Sequence, residues 1–362
     1  MIVLSKHKHL NIKRFRPTLR EVAALAGVSQ ATASLALRGR PAVDAATRAR
    51  VLEAATQLRY VPNLNGRRLA RGRAETIGVI QGRNMTTLFS DSFYRMVLAG
   101  AGEAAQAAGY SLMIAPTLRK DTSVMEMLEH VGPGTVDGVL VVGVLEQEAI
   151  FALRDLGLPV VVVDTYLPGT DIPAVAHDYR AGAWQLTRHL LQLGHRRIAF
   201  VGADVDYPFG RDTHDGYRDA LSSAGLPYSS VLVRMVAISA EAAAAATRDL
   251  LSATPAPTAL VTVTDTMAIG AMRAAHELGR RVPEDVAIVG MDDIELSAHT
   301  NPPLTTVRVP KEEMGRLAAE RLIALSRGQQ PTPSVLMLSG TLVVRRSCGA
   351  GSAGRPTGEV WS

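Results

Sequence analysis

Gln30 carries the side chain best suited to reading a base, because its carboxamide donates and accepts through neighbouring atoms and so pairs with an adenine edge through two hydrogen bonds. Ser29, Ala31, Thr32, Ser34 and Leu35 surround it; the hydroxyls reach phosphate or base, and a leucine packs on a thymine methyl. A short Ser/Thr/Gln helix taken alone reads as a solvated surface. The flanking sequence changes that reading. Thr18 and Glu21 form a capping box that starts a helix at Leu19, with Leu19, Val22, Ala23 and Ala26 at helical spacing. Gly27 stops it by supplying a positive φ, and Ser29 caps a second helix from Gln30 to Leu37. Asp44 caps a third, from Ala45 to about Leu58, and Pro62 closes the unit. Two helices joined through Ala26-Gly27-Val28-Ser29 have helix-turn-helix geometry, in which the second helix lies in the major groove. Ala33, Ala36 and Leu37 then face inward. Thr18 joins the DNA-facing set.

Charge agrees with a polyanion partner for this end of the chain. The 362 residues carry a formal +5, but residues 1–75 hold 15 Lys/Arg against 4 Asp/Glu, and the remainder is net acidic. Cys348 is the only cysteine, which excludes a disulfide framework and a cysteine metal site. The apolar start, Met1 to Leu4, breaks at Ser5-Lys6-His7-Lys8, too early for a secretion signal, and no run reaches membrane-spanning length. A soluble cytoplasmic protein is expected. The sequence has no P-loop, no Gly-x-Ser-x-Gly elbow and no His-Glu-x-x-His, and His177-Asp178 and His214-Asp215 are only sequence neighbours, so an enzyme is not expected. A transport binding protein is the other rival, and it would lack the first 62 residues.

Beyond residue 75 the pattern turns to apolar runs at 76–80, 111–115, 138–142, 160–164, 198–202, 259–264 and 286–290. Helical patterns at 93–108, 180–193, 213–224, 240–251 and 267–278 lie between them. Buried strands alternating with helices predict doubly wound parallel sheets covered on both faces.

The run Thr18-Leu19-Arg20-Glu21-Val22-Ala23-Ala24-Leu25-Ala26-Gly27-Val28-Ser29-Gln30-Ala31-Thr32-Ala33-Ser34, with Thr47-Arg48, Val51 and Tyr60-Val61-Pro62-Asn63 behind it, resembles the headpiece of the LacI/GalR family of transcriptional regulators. The resemblance implies an α/β protein. An N-terminal all-α helix-turn-helix headpiece would precede a two-lobed, doubly wound, periplasmic-binding-protein-like core. The expected segments are a basic disordered tail (1–16), the headpiece (17–62), a hinge helix and linker (63–75), an effector-binding and dimerisation domain (76–348) and a disordered tail (349–362). Lobe one would take about 76–176 and 308–337, and lobe two about 177–307 and 338–348. Val136-Asp137-Gly138, Leu193-Gly194-His195, Pro283-Glu284-Asp285-Val286, Gly290-Met291-Asp292-Asp293 and Pro302-Pro303-Leu304-Thr305-Thr306-Val307 are the matching landmarks.

Asn63 to Arg71 resembles the family's hinge helix. By that likeness Leu69, beside Ala70, is the wedge between base pairs of the minor groove, and Arg67, Arg68, Arg71 and Arg73 meet phosphates. A plain basic linker is the alternative. Leu35 stands where several relatives carry a guanine-reading arginine, so the operator position facing it is expected not to be selected as guanine by direct hydrogen bonding. Arg38, at the end of the reading helix, stands where the family has an asparagine, and by that likeness is expected to contact phosphate.

In the core, Asp164 and Asp292 each follow an apolar run, and by the resemblance their carboxylates face a ligand cleft from opposite lobes; each would serve equally as a helix N-cap. Phe93 and Tyr94 stand where aromatics line the family's pocket. Two departures leave the ligand open: Thr213 holds the place of a usual arginine, with Arg211 nearby, and Thr264 replaces a common asparagine. No cofactor and no metal are expected. The implied partners are a pseudo-palindromic double-stranded operator, a small-molecule effector such as a sugar or related metabolite, and a second copy. Nothing after Cys348 resembles a tetramer-forming leucine heptad, so a homodimer is expected.

Overall fold

The structure is a computed structural model that describes residues 17–61, 73–81, 91–115, 130–143, 145–204 and 207–350. The basic tail, Asn63, Arg67, Leu69 and Ala70 lie outside the described residues. The chain divides into two compact units, Met1–Gly72 and Arg73–Ser362.

The first unit contains α1 (Leu19–Ala26), α2 (Gln30–Leu37) and α3 (Ala45–Gln57), each started by the cap that the sequence provides. Thr18 and Glu21 close a full capping box, with the Thr18 amide donating to Glu21 Oε2 at 2.6 Å. Gly27 ends α1 at φ 65°. The Thr32 amide donates to Ser29 Oγ at 3.0 Å, and the Thr47 amide to Asp44 Oδ1 at 2.9 Å. Val22, Ala26, Ala33, Ala36, Val51 and Ala54 are buried where the three helices meet. With so small a core, a cap is a large share of stability. Ser29→Ala is expected to cost about 1 kcal/mol of α2 stability, read as lost hydrogen-exchange protection at the Thr32 amide of the full chain.

In the second unit two six-stranded sheets share one plan. The first runs β11-β5-β4-β3-β1-β2 and is parallel throughout: β1 (Thr76–Gln81), β2 (Ser111–Ile114), β3 (Gly138–Val142), β4 (Val160–Val163), β5 (Ala174–His177) and β11 (Val335–Leu338). The second runs β12-β10-β9-β8-β6-β7: β6 (Ile198–Ala203), β7 (Val233–Val236), β8 (Ala259–Thr262), β9 (Ala287–Asp292), β10 (Thr305–Arg308) and β12 (Thr341–Val343), the last antiparallel to β10. Every residue of β1, β3, β4, β6, β8 and β9 is buried, as strands covered on both faces must be. The strands absent from the sequence reading, β5, β7, β10, β11 and β12, are only three or four residues long. Of these, β7, β11 and β12 also sit at sheet edges with mixed exposure.

The covering helices are α4 (Ser92–Ala107), α5 (Gln147–Asp155), α6 (Tyr179–Gln192), α7 (Pro208–Ser223), α8 (Ala240–Leu251), α9 (Asp265–Glu277) and α10 (Lys311–Ser326). The pairs α4–α10, α6–α7 and α8–α9 touch through glycine. A Cβ on Gly315 would lie 1.8 Å from the Val97 carbonyl oxygen, and one on Gly216 would lie 2.1 Å from that of Arg180. The chain passes between the sheets three times, from β5 into α6, from β10 into α10, and from β11 into β12. Gly349 and Ala350, assigned to the tail by composition, belong to the described residues, and Ala350 packs against the core.

Candidate functional site

On the first unit, Ser29, Gln30 and Ala31 are exposed at the start of α2, while Thr32 and Ser34 are half-buried. The Ser29 and Thr32 hydroxyls lie 2.9 Å apart, so both are oriented by the cap before any partner arrives. Thr18 is held in its capping box. Two more residues of the expected DNA-facing set also make contacts within the headpiece. Leu35 is half-buried and packs against the three-helix core, leaving only part of its side chain outward. Arg38 donates from Nε to the Ser34 carbonyl oxygen at 2.8 Å and so satisfies the C-terminal end of α2, with its remaining nitrogens outward.

The second unit holds a cavity of about 160 Å3 where the carboxyl ends of both sheets face each other, the place at which open α/β sheets take ligands. That volume is roughly ten times the space one water needs. Its lining comes from strand ends and the helical turns that follow: Phe93 and Tyr94 opening α4, Asp164 and Thr165 after β4, Tyr179 opening α6, Thr264 after β8, and Asp292 ending β9. The aspartates do not cap helices. Thr264 caps α9, and Asp178 caps α6. Asp164 and Asp292 instead adopt φ of 71° and 119°, conformations costing about 1–3 kcal/mol each, which turn their side chains into the cavity.

Their environments differ. Asp164 accepts hydrogen bonds from Tyr179 Oη and, at 3.3 Å, from Tyr94 Oη. Burial nonetheless pushes its carboxyl up to about 7, because these two hydroxyls offset only part of the lost hydration. The Asp292 carboxylate accepts no hydrogen bond from the described residues, and burial, followed by the charge of Asp265, drives its affinity for a proton well above the ordinary carboxylate range. Lys311 lies beneath it, its Nζ donating to the main-chain carbonyls of Asp292, Asp293 and Val309, so the ammonium serves the backbone of the loop. Asp265 fixes the same loop by accepting from Ser297 Oγ and Thr306 Oγ1, both at 2.6 Å, and from the Ile294 amide at 3.0 Å. Asp293 is turned away and paired with Arg345 at 2.6 Å and Arg308 at 2.7 Å.

Of the residues named from sequence for the core, Phe93, Tyr94, Asp164, Thr264 and Asp292 come together around this cavity. Arg211 does not line it; it is exposed on α7. Thr213 is buried, with its hydroxyl bonded to the carbonyls of Phe209 and Gly210 on its own helix.

The family model of bacterial regulatory proteins of the lacI family matches residues 18–63, and a periplasmic-binding-protein-like domain model matches residues 187–348. The HTH-type transcriptional regulator CelR of Thermobifida fusca is 36% identical over 338 residues, covering 92% of this chain and 99% of that protein. The chain belongs to the LacI family. It is a DNA-binding transcriptional regulator. Another member, the regulator GalR of Salmonella typhimurium, is 33% identical over 91% of this chain and 95% of its own length. Among solved structures, a CelR–cellobiose complex superposes with a TM-score of 0.72 at 35% identity, covering 92% of this chain and all of that one. A lac repressor dimer bound to operator and an anti-inducer superposes at 0.81 with 27% identity over 92% of this chain and 99% of that one. These relatives are regulators rather than enzymes.

For a LacI-family regulator, sequence reasoning found one aromatic corner of the pocket and missed the other. Tyr179, Tyr207 and Phe209 line the opposite wall, and Tyr179 and Phe209 meet edge to face at 4.6 Å. Each stands in or beside the first turn of a helix that follows a strand, a place that sequence alone does not distinguish from a core position. No helix among the described residues is long and apolar enough to cross a membrane.

Proposed function

We propose that this regulator is a homodimeric repressor that places α2 of each copy in the major groove of a pseudo-palindromic operator and releases or tightens its grip when a sugar or related metabolite fills the cavity between the two sheets. Gln30 reads a base, Ser29, Thr32 and Ser34 orient the helix against phosphate or base edges, and Ala31 permits close approach. Arg38 contacts the backbone with the nitrogens its cap leaves free. In the cavity, Asp292 accepts hydrogen bonds from ligand hydroxyls, and Asp164 orients the ligand from the other sheet with Tyr94 and Tyr179, while Thr264 and Phe93 complete the wall. The observation that carries this reading is the coexistence in one chain of an exposed, doubly capped reading helix and a cavity holding a buried acceptor with no donor among the described residues. A ligand bridging both sheets stabilises whichever inter-lobe arrangement it fits better, and only that difference in affinity reaches the DNA.

The test is competition binding to the chain's own upstream DNA against random duplex at fixed salt. Gln30→Ala is expected to lose about tenfold in operator affinity, consistent with ~1–3 kcal/mol for a bidentate base contact, and little in nonspecific affinity. Equal losses on operator and random DNA would remove Gln30 from the reading set.

A further inference from the structure

The main chain just before β1 is tied down on two sides. Asp137, the residue before β3, accepts the Ala74 amide on Oδ1 at 2.6 Å and the Glu75 amide on Oδ2 at 2.7 Å. Its own amide donates to the Thr76 carbonyl oxygen at 2.9 Å. From the other side the Ser111 amide, at the start of β2, donates to the Glu75 carbonyl oxygen at 3.0 Å. The Thr76 hydroxyl donates to the Ala74 carbonyl oxygen at 3.1 Å. Ala74 is buried, and Glu75 is held at φ 46°, a left-handed conformation uncommon for a residue with a side chain.

The carboxylate does more than register the strand. The ladders of β1 with β2 and β3 begin at Thr76 and Ile77, whereas Asp137 grips two amides upstream of both. Bonds from amides to both oxygens of one carboxylate are charge-assisted and directional. Asp137 is itself fixed in place. Val136 beside it is buried, and Gly138 opens β3 so close to the Pro159 carbonyl oxygen that a Cβ would lie 3.0 Å away.

Only residues 62–73 separate the last described residue of the headpiece, Val61, from the clamped amides. Releasing Ala74 and Glu75 would lengthen that connection by about 7 Å, at ~3.3–3.6 Å per residue. Successive base pairs are about 3.4 Å apart, so the added reach matches roughly two steps of the duplex. Ordering the backbone of one residue also corresponds to about fivefold or more in an equilibrium constant. The clamp orders these two residues before DNA arrives.

We propose that Asp137 is a positioning residue for operator binding: by clamping the Ala74 and Glu75 amides to the first sheet it fixes the length of chain that carries each headpiece, and so sets the half-site spacing that the dimer accepts. This inference rests on the reading above of a homodimer on a pseudo-palindromic operator. Asp137 acts through the main chain, with no contact to DNA.

The experiment is competition binding of the full chain, Asp137→Ala and Asp137→Asn to three kinds of duplex. These are the operator footprinted in the chain's own upstream DNA, the same operator with one or two base pairs added or removed at its centre, and an isolated half-site. The unaltered protein is expected to lose more than about tenfold when the spacing changes. Asp137→Ala is expected to bind the operator about tenfold more weakly, yet to bind the half-site within about twofold of the unaltered protein. Its affinities for the different spacings should agree within about threefold. Asp137→Asn keeps one acceptor oxygen and should fall between the two. Hydrogen exchange in the unaltered chain without DNA needs no variant: the Ala74 and Glu75 amides are expected to exchange within about tenfold of the amides of β1. Equal losses on operator and half-site, an unaltered protein indifferent to spacing, a variant with an unchanged spacing profile, or free exchange at residues 74 and 75 overturns the inference and leaves the homodimer reading standing. No preference of the unaltered protein for any duplex over random competitor overturns both.

Discussion

Asp164→Asn is expected to make the protein more stable above neutral pH and deaf to its effector. The carboxyl is raised from an ordinary 3.8 to about 7 in the folded chain, chiefly by burial. Between those values the folded state binds more protons than the unfolded state, so stability falls as pH rises through this window and stays low above about 7. At ~1.4 kcal/mol per pH unit the full penalty approaches about 4 kcal/mol. Asp164 keeps part of its surface open to the cavity, and solvent there tempers the penalty, so a gain of about 2 kcal/mol is expected at about pH 8. The amide preserves the shape and accepts from one of the two tyrosines, but it loses the charge that orients a ligand. Urea unfolding at about pH 4 and about pH 8 checks this: the two proteins should coincide at the acid end and diverge at the alkaline end. A variant whose stability declines with pH as steeply as the original would show that another group titrates.

Adding one methyl at Gly315 is expected to be among the most damaging single changes in the core. Alanine is worth about 1 kcal/mol more than glycine in a helix interior, so local propensity favours the substitution. Packing opposes it, because the new Cβ would lie 1.8 Å from the Val97 carbonyl oxygen and 3.0 Å from the Ala101 nitrogen. A backbone carbonyl cannot rotate out of the way, so α10 and α4 must move apart along their whole contact. A net loss of about 3 kcal/mol is expected, at the upper end of ordinary overpacking. The damage should extend to effector affinity, because the first turn of α4 carries Phe93 and Tyr94. Gly102→Ala on the same helix is the control: its Cβ would meet only Leu112 Cδ1 at 3.6 Å, so it is expected to be neutral or stabilising by up to about 1 kcal/mol. Thermal unfolding of the pair separates a specific close approach from general sensitivity of the helix.

Local signals were legible where one residue settles one question. The caps at Thr18, Ser29 and Asp44 set the starts of three helices because an oxygen acceptor at that position satisfies an otherwise orphaned amide. The buried strands stood out because covering on both faces demands unbroken apolar runs. Asp164 and Asp292 were legible as cavity residues by their place at strand ends, yet nothing in sequence chose between ligand acceptor and helix cap. That choice is made by backbone torsion, which both aspartates take in the left-handed region. Tyr179, Tyr207 and Phe209 were not legible, since an aromatic early in an amphipathic helix reads as core until the opposite sheet is placed. Leu35 was placed at the DNA by its position in the reading helix and Arg38 by the family resemblance; neither signal shows that packing claims part of the first and that a C-terminal carbonyl takes the guanidinium Nε of the second.

The three passages between the sheets have a consequence for biosynthesis. As the polypeptide emerges from the ribosome, the strands of the first sheet up to β5 appear before residue 178, but α10, which packs over β3, β4 and β5, ends only at Ser326, and the edge strand β11 comes later still. The intervening stretch holds nearly all of the other sheet. A nascent chain therefore carries an apolar sheet face and an unpaired edge at β5 for the time needed to translate some 150 further residues, which at about 5–20 residues per second is on the order of ten seconds or more. Holdase chaperones should find this intermediate, and truncations ending between β10 and α10 should be far more prone to aggregate than their length alone implies.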